Sequence, residues 1–202
     1  MSGDKPVTPV VVLPPALERL VGVLHVLTAP DLPAVALIGG MAVNIRLSTA
    51  AGAHRATRDL DLVANEATPT AVEVLSRGGG KARDQTVVVD GIEVDIIETH
   101  PVSDRDLEGL EDGQRLFVAG HRWALETASV VRVAPAGDAS GVAVPVAGAA
   151  GLVTSKSHAA GHPRAARRET KHGGDLYDIF RLVEVFDAQG VLRSELAAAP
   201  GG

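Results

Sequence analysis

Two β-rich runs joined by an Asp-Gly pair constrain the fold more than any other feature of this sequence. Residues 86–89 (TVVV) and 92–97 (IEVDII) flank Asp90-Gly91. Both central residues of a type I′ turn need positive φ, and Asp-Gly between β-branched runs is typical of such a hairpin. The chain is therefore predicted to contain antiparallel sheet, against which its helices must pack.

Stretches with helical spacing alternate with further β-rich runs. The apolar spacing predicts helices from Pro15, over 41–47, over 70–77 and from Ala147 onward. Strands are predicted at 34–38 and 59–63, and around 116–125 and 130–146. In the last long helix, a predicted core stripe consists of Leu176, Ile179, Phe180 and Val183.

This order of elements predicts an α+β fold with three parts. Residues 1–13 are predicted to be a flexible N-terminal arm, residues 14–146 the core domain, and residues 147–202 a C-terminal helical subdomain. Apolar residues make up 46% of the chain, but only three Phe, one Trp and one Tyr are aromatic. The core is therefore predicted to be aliphatic.

Composition also excludes several kinds of site. The chain has no cysteine, which excludes disulfides, thiolate metal sites and a cysteine nucleophile, and which fits a reducing cytoplasm. The apolar run at 6–15 lacks a basic n-region and is broken by prolines, so it does not read as a signal peptide. No apolar run reaches the roughly 20 residues of a membrane helix. The sequence predicts a cytoplasmic protein.

Charge is unevenly distributed along the chain. The net charge of −6 argues against an obvious nucleic-acid binder. However, residues 152–172 carry five bases and one acid, whereas residues 95–112 carry seven acids and one base. A local basic surface is therefore compatible with the acidic total.

The central candidate site combines a Gly-Gly turn with an acidic strand. Gly39 and Gly40 follow a predicted strand, and Asp59 and Asp61 alternate with leucines, which places both carboxylates on one strand face. Paired carboxylates repel, and Mg²⁺ or Mn²⁺ relieves that repulsion. The Gly-Gly turn allows close approach of a triphosphate to backbone amides. The alternative is that both acids form the solvated face of an edge strand.

A third carboxylate, Asp95, strengthens the metal hypothesis. It lies on the second strand of the predicted hairpin, bracketed by Val94 and Ile96. If that strand pairs with the one carrying Asp59, Asp95 becomes a third ligand. Glu93 shares its face but lies nearer the hairpin tip, where solvation is expected.

Lys156 is the second informative residue, because helical winding places it in the middle of an apolar stripe. Lysine is rarely buried without a partner. Either its ammonium faces a substrate phosphate, or the side chain snorkels to water. Asp175 flanks the stripe of the last helix and is the favoured partner of Lys156 or substrate, although an N-capping role explains it equally well. Asp178 lies further from that stripe around the helix.

Three segments resemble the AbiEii/AbiGii-type nucleotidyltransferase toxins, including the mycobacterial MenT group. They are LIGGMAVNIRLSTAAGAHRATRDLDLV (37–63), VDII (94–97) and VTSKSHAAGHPRAARRETKHGGDLYDIFRLV (153–183). The resemblance runs in order over about residues 34–187. It implies a DNA polymerase β-like nucleotidyltransferase core, a mixed sheet with flanking helices, followed by a helical subdomain.

The resemblance also implies roles for individual residues. Gly39 and Gly40 match the nucleotide-binding glycines, Asp59 and Asp61 the metal carboxylates, Lys156 the essential lysine, and Asp175 the downstream acid. Gly173-Gly174 stands where the family often has a basic residue, which leaves the choice between Asp175 and Asp178 open. Thr57 matches a position that some antitoxins phosphorylate.

The function implied is that of a toxin in a toxin–antitoxin system. Some family members transfer NMP from an NTP to the 3′ end of tRNA, release pyrophosphate and so block translation. The implied partners are therefore an NTP, an RNA and a cognate antitoxin, with Mg²⁺ or Mn²⁺ as cofactor. Nucleotidylation of a protein or small molecule, and a catalytically inactive partner-binding module, are the alternatives.

Other polar residues carry weaker hypotheses. Arg46 and Arg58 are read as surface cations or as phosphate contacts. His158 and His162 have a metal-like spacing, but Gly161 and Pro163 disrupt the helix it needs. A basic cluster is a candidate grip on an RNA backbone: Arg164, Arg167, Arg168 and Lys171.

Overall fold

The computed structural model describes residues 10–48, 55–138, 140–161 and 169–199. Within these residues, eight strands form one mixed sheet in the order β1-β7-β8-β2-β3-β6-β5-β4. The strands are β1 (Val10–Leu13), β2 (Val35–Ile38), β3 (Leu60–Asn65), β4 (Lys81–Arg83), β5 (Thr86–Val89), β6 (Ile92–Thr99), β7 (Ser129–Pro135) and β8 (Val142–Val146).

Helices pack around this sheet. They are α1 (Glu18–Val23), α2 (Gly39–Arg46), α3 (Ala71–Arg77), α4 (Asp104–Glu108), α5 (Asp112–Glu126), α6 (Ala149–Gly161), α7 (Glu169–Phe186) and α8 (Val191–Ala197). Short 3₁₀ segments cover Pro15–Leu17, Leu24–Thr28 and Ala188–Gly190. No helix in these described ranges is long and apolar enough to cross a membrane.

The middle of the sheet brings together the strands that carry the candidate acids. Strand β2 pairs antiparallel with β3, and β3 pairs in parallel with β6. The hairpin of β5 and β6 turns at Asp90 (φ 51°) and Gly91 (φ 76°), as a type I′ turn requires. The buried core contains no aromatic side chain among the described residues; Trp123 and Phe186 only pack against its edge. The prediction of an aliphatic core in an α+β fold is confirmed.

The prediction of a flexible arm is wrong for residues 10–13. These residues form β1, which pairs in parallel with β7 from Val10 opposite Arg132 to Leu13 opposite Pro135. Leu13 is only 1% exposed, so its burial anchors the strand. Residues 1–9 lie outside the described part of the chain. The boundary at 146–147 stays a prediction; β8 ends at Val146 and α6 begins at Ala149.

The strand prediction around 116–125 is also wrong, because these residues belong to α5. A capping box formed by Glu111 and Gln114 begins the helix. Its buried residues are His121 and three small ones, Ala119, Gly120 and Ala124, and the helix packs closely against α6. A Cβ at Gly151 of α6 would lie 2.8 Å from Cα of Ala124. Close helix packing of this kind compensates for a weakly apolar sequence.

Helix α7 buries a different face from the one predicted. Leu176 is 48% exposed and Phe180 is 62% exposed, whereas Asp175 and Asp178 are each 2% exposed. Only Ile179 of the predicted stripe packs against the core, together with the fully buried Leu182. The carboxylates face inward because cations described below pair with them.

Candidate active site

Asp61 and Asp95 lie side by side on neighbouring parallel strands. Asp61 of β3 is the register partner of Asp95 of β6. Register partners in a sheet point to the same face, so the two carboxylates share one side of the sheet. The opposite face is core, with Leu60, Leu62 and Val94 fully buried. Asp59 lies at the bend immediately before β3.

The carboxylate of Asp61 is held in an unfavourable environment. Burial, together with the negative charges of Asp59 and Asp95, raises the pKa of Asp61 from 3.8 to about 6. The positive charges of Lys156 and Lys171 act in the opposite direction. The site therefore concentrates negative charge that an added cation would stabilise.

Threonine hydroxyls orient the two outer carboxylates. Thr57 Oγ1 donates to Asp59 Oδ1 at 3.1 Å, and Thr86 Oγ1 donates to Asp95 Oδ1 at 2.5 Å. Thr86 was not predicted as a site residue. The signal was nevertheless present, because a two-residue turn at Asp90-Gly91 places Thr86 opposite Asp95 in the hairpin register.

The Gly-Gly corner lies directly against these acids. Gly39 begins α2 with φ +67°, and a Cβ there would lie 1.8 Å from Asp61 Oδ2. A Cβ at Gly40 would lie 3.0 Å from Thr57 Oγ1. Ile38 precedes the helix and provides no side-chain cap, so the first backbone amides of α2 are candidate donors to an anion.

Replacing Gly39 by alanine should damage the site. The variant forces a positive-φ alanine and a clash with Asp61, so we expect a destabilisation of about 1–3 kcal/mol. Displacing Asp61 should also move its carboxylate away from that of Asp95. Thermal melts would check the loss of stability. Gly22→Ala is the matched control, because a Cβ at that helical glycine meets no atom within 4 Å. An equal loss of stability in the two variants would contradict the role assigned to Gly39.

Lys156 is buried and doubly ion-paired. The residue is 7% exposed, and its Nζ lies 2.7 Å from Asp175 Oδ1 and 3.0 Å from Asp178 Oδ2. The snorkelling alternative is therefore wrong. Asp175 lies in the second turn of α7 rather than at its N-cap, which removes the capping alternative. The sequence favoured Asp175 over Asp178, but both contact the ammonium.

Arg55 completes this cluster and was missed by the sequence analysis. Its Nε donates to Asp178 Oδ1 at 3.1 Å and its Nη2 donates to Asp178 Oδ2 at 3.0 Å. This is the forked geometry in which arginine binds a carboxylate most strongly. Sequence spacing contains no signal for the pairing, because 123 residues separate the partners.

The remaining candidates are distributed as follows. Arg46 binds backbone carbonyls of Val146 and Ala147 at the end of β8, so it has a structural role rather than a phosphate contact. Arg58 is exposed. The ring of His158 packs against that of Phe117 at a tilt of 55°. His162 lies outside the described residues, as do Arg164, Arg167 and Arg168. Lys171 is exposed and lies in the first turn of α7. Its positive charge acts to lower the pKa of Asp61.

No group of three His, Asp or Glu side chains within the described ranges is already arranged to hold a metal ion. The donors at the acidic site are nevertheless of the type that Mg²⁺ and Mn²⁺ prefer, since all three are carboxylates. Burial of Asp61 next to Asp59 also leaves negative charge that the two nearby lysines only partly offset. The residues present therefore fit such a cation.

Comparison with known proteins supports the fold. No protein-family model and no curated protein matches this sequence. Among solved structures, the chain is similar to ANT(2″)-Ia in complex with adenylyl-2″-tobramycin, with 18% identity, coverage of 89% of this chain and 98% of that one, and a TM-score of 0.50. A solution structure of the antibiotic-resistance factor ANT(2″)-Ia gives 17% identity, coverage of 89% and 90%, and a TM-score of 0.51. The chain has a nucleotidyltransferase fold, consistent with a polymerase β-like core.

Proposed function

We propose that this protein transfers NMP from an NTP to an acceptor hydroxyl and releases pyrophosphate. One observation carries the proposal: Asp61 and Asp95 stand in register, with Asp59 two residues away, against a glycine corner at the start of a helix. In the reaction, the acceptor oxygen forms a bond to the α-phosphorus and the bond from that phosphorus to the bridging oxygen breaks. The leaving pyrophosphate takes the electron pair, and the proton of the acceptor hydroxyl passes to water.

Asp59, Asp61 and Asp95 would hold Mg²⁺ or Mn²⁺ in this proposal. When bound, such ions neutralise phosphate charge and favour in-line displacement. Threonines 57 and 86 contribute by fixing the orientation of the outer carboxylates before the cation arrives. Preorganisation of this kind avoids a reorganisation cost during the reaction.

The positive groups of the chain would bind the triphosphate. The amides at the start of α2 offer donors next to the acids. Lys156 uses two of its three N–H groups for Asp175 and Asp178, which leaves one donor for substrate. Its positive charge also acts on Asp61, so we assign Lys156 to the triphosphate of a nucleotide bound at these acids.

Lys171 is the second cation that we assign to the triphosphate. It precedes Asp175 by one helical turn on α7, so both lie on the same side of the helix. We expect Lys171→Gln to raise KM for the NTP about tenfold with little change in kcat, because an exposed lysine contributes charge rather than positioning. Steady-state kinetics would measure this.

Lys81→Gln is the matched control for Lys171. Lys81 is also exposed, but it lies on β4 at the far edge of the sheet. Its variant should leave KM unchanged. An equal change in KM for the two variants would mean that only net charge matters, and the assignment of Lys171 would fail.

For the acceptor we propose an RNA 3′ end, most specifically that of tRNA, and a cytoplasmic toxin paired with an antitoxin. The support is the sequence resemblance over 37–63, 94–97 and 153–183. ANT(2″)-Ia, which shares the fold, is an antibiotic-resistance factor solved with adenylyl-2″-tobramycin. That relationship favours a small molecule as the second candidate acceptor, and a protein is the third.

A screen with labelled nucleotides tests this proposal. The protein is incubated with Mg²⁺ and each α-labelled NTP in separate reactions containing total RNA, cell protein or tobramycin. We expect label in the tRNA fraction for the wild type and none for Asp59→Ala that remains folded. Label in protein or tobramycin would replace the RNA proposal. Full transfer by Asp59→Ala would contradict the metal assignment.

Phosphorylation of Thr57 by the antitoxin is a further part of the proposal. Its hydroxyl already contacts Asp59, so a phosphoryl group there would add charge of about −2 beside the carboxylates. That charge should repel a triphosphate and inactivate the enzyme. Mass spectrometry after co-expression with the neighbouring gene's product would detect the modification, and an unmodified, inhibited protein would count against it.

A further inference from the structure

Arg55 lies where three elements meet. The side chain of Asn44 in α2 binds both backbone groups of Arg55. Asn44 Nδ2 donates to the Arg55 carbonyl at 2.8 Å, and the Arg55 backbone N–H donates to Asn44 Oδ1 at 3.1 Å. Four residues later the chain reaches Asp59. The segment that delivers the first carboxylate is therefore fixed to α2 at Arg55.

The guanidinium of Arg55 occupies a slot formed by two glycines. A Cβ at Gly40 in α2 would lie 3.0 Å from Arg55 Nη2, and a Cβ at Gly174 in α7 would lie 2.7 Å from Arg55 Nη1. A contact below 3.0 Å to a Cβ is essentially never seen in proteins, and one of 3.0 Å is unusually tight. A side chain at Gly174 would therefore displace the guanidinium, and one at Gly40 would crowd it.

Asp178 connects Arg55 to Lys156. The carboxylate accepts both N–H groups of the arginine fork and also lies 3.0 Å from Lys156 Nζ. Two cations and two carboxylates, including Asp175, thus form a cluster with no net charge. Without Arg55, the cluster would carry one uncompensated negative charge close to the acidic site, where a triphosphate has to bind.

We propose that Arg55 is a positioning residue for nucleotide transfer. Through Asp178, it holds the ammonium of Lys156 in place and fixes α7 against the glycine corner. Arg55 acts on the reaction through these groups and does not itself contact the reacting atoms. This inference rests on the proposed function, but the position of Lys156 can be measured without any assay of activity.

Two adjacent glycines in α7 provide the test. Gly174→Ala places a methyl group against the Arg55 guanidinium, whereas a Cβ at Gly173 meets no atom within 4 Å. Both changes replace glycine by the best helix former, so α7 gains intrinsic helix stability in each variant. The clash involves the end of a flexible side chain, which can move without unfolding the protein. Arg55→Gln is the second variant, because it lies outside α7.

The first readout is NMP transfer. We expect Gly174→Ala and Arg55→Gln to lower kcat about ten- to a hundredfold, as small displacements of positioned groups do. Gly173→Ala should retain wild-type kcat. The second readout is the ¹H–¹⁵N ammonium signal of Lys156, assigned by its loss in Lys156→Met. It should shift in Gly174→Ala and Arg55→Gln but not in Gly173→Ala.

The outcomes separate this inference from the proposed function. Wild-type activity and an unshifted Lys156 signal in both Gly174→Ala and Arg55→Gln would overturn the role of Arg55. Equal loss of kcat in both glycine variants would overturn it too, since only Gly174 touches the guanidinium. If the wild type transfers no NMP, the proposed function fails; the Lys156 signal then still decides whether Arg55 positions the lysine.

Discussion

Asp61→Asn is expected to abolish nucleotide transfer and, in the same protein, to raise the stability of the metal-free state. Loss of a carboxylate that holds the cation should lower kcat about 10³-fold, equivalent to several kcal/mol of transition-state stabilisation. Stability should rise because burial and Asp59 raise the pKa of Asp61 from 3.8 to about 6. Removing that unfavourable charge at pH 7 is worth about 1–3 kcal/mol.

The gain in stability should depend on pH in a defined direction. The folded state binds the proton of Asp61 more tightly than the unfolded state, whose carboxyl titrates near 3.8. The destabilising contribution of the wild-type residue is therefore fully present above about pH 6 and is relieved as the pH falls toward 3.8. Urea denaturation without metal should show the variant and wild type converging between pH 7 and pH 4.

Asp31→Asn serves as the control for this prediction. Asp31 is exposed in the turn before β2, so its replacement should change neither transfer nor stability. If Asp61→Asn destabilises the metal-free protein at pH 7, Asp61 is a structural acid rather than a strained functional one.

Lys156→Met should cause the second large effect, a loss of both activity and stability. The change leaves the Asp175 carboxylate buried without its cation, whereas Asp178 keeps its ion pair with Arg55. Breaking a buried ion pair by removing one partner typically costs about 3–5 kcal/mol. Transfer should fall below detection, because the donor assigned to the triphosphate is also removed. Denaturation and labelled transfer measured on the same preparation would check both effects.

Adding Asp175→Asn to Lys156→Met separates the loss of stability from the loss of activity. The double variant no longer buries an unpaired charge, so we expect it to recover about half or more of the lost stability. Transfer should stay absent. Recovery of transfer together with stability would show that Lys156 only supports the fold, which would contradict its assignment to the substrate.

Local chemistry made much of the site predictable from the sequence. The Asp-Gly turn fixed the hairpin, and strand alternation placed Asp61 opposite the leucines that face the core. Winding of α6 placed Lys156 in an apolar stripe, and its burial follows from that position. Each inference used a period or a turn that depends on a few neighbouring residues.

Features that depend on distant partners were not predictable in this way. The apolar pattern of α7 suggested a core stripe, but the helix turns Asp175 and Asp178 inward because Lys156 and Arg55 pair with them. The energy of those pairs is absent from a count of apolar residues. Strand β1 likewise depends on pairing with β7, which lies more than a hundred residues along the chain.

Helix α5 shows a third kind of failure. The β-rich pattern around 116–125 predicts strands, but these residues are helical. Gly120 and Ala124 form a small-residue surface against α6. A Cβ at Gly120 would lie 2.5 Å from the Thr154 side chain, so the two helices approach too closely for larger residues. Packing between helices decided the structure there, and the local apolar content did not.

Calorimetric titration of the metal-loaded NTP tests the central claim most directly. Each of the four NTPs, with excess Mg²⁺, is titrated into the wild type and into folded Asp61→Asn. We predict saturable binding of at least one nucleotide to the wild type, dependent on Mg²⁺, and no measurable binding to the variant. Equal binding to both proteins, or binding to neither, would contradict a nucleotide site built on these carboxylates.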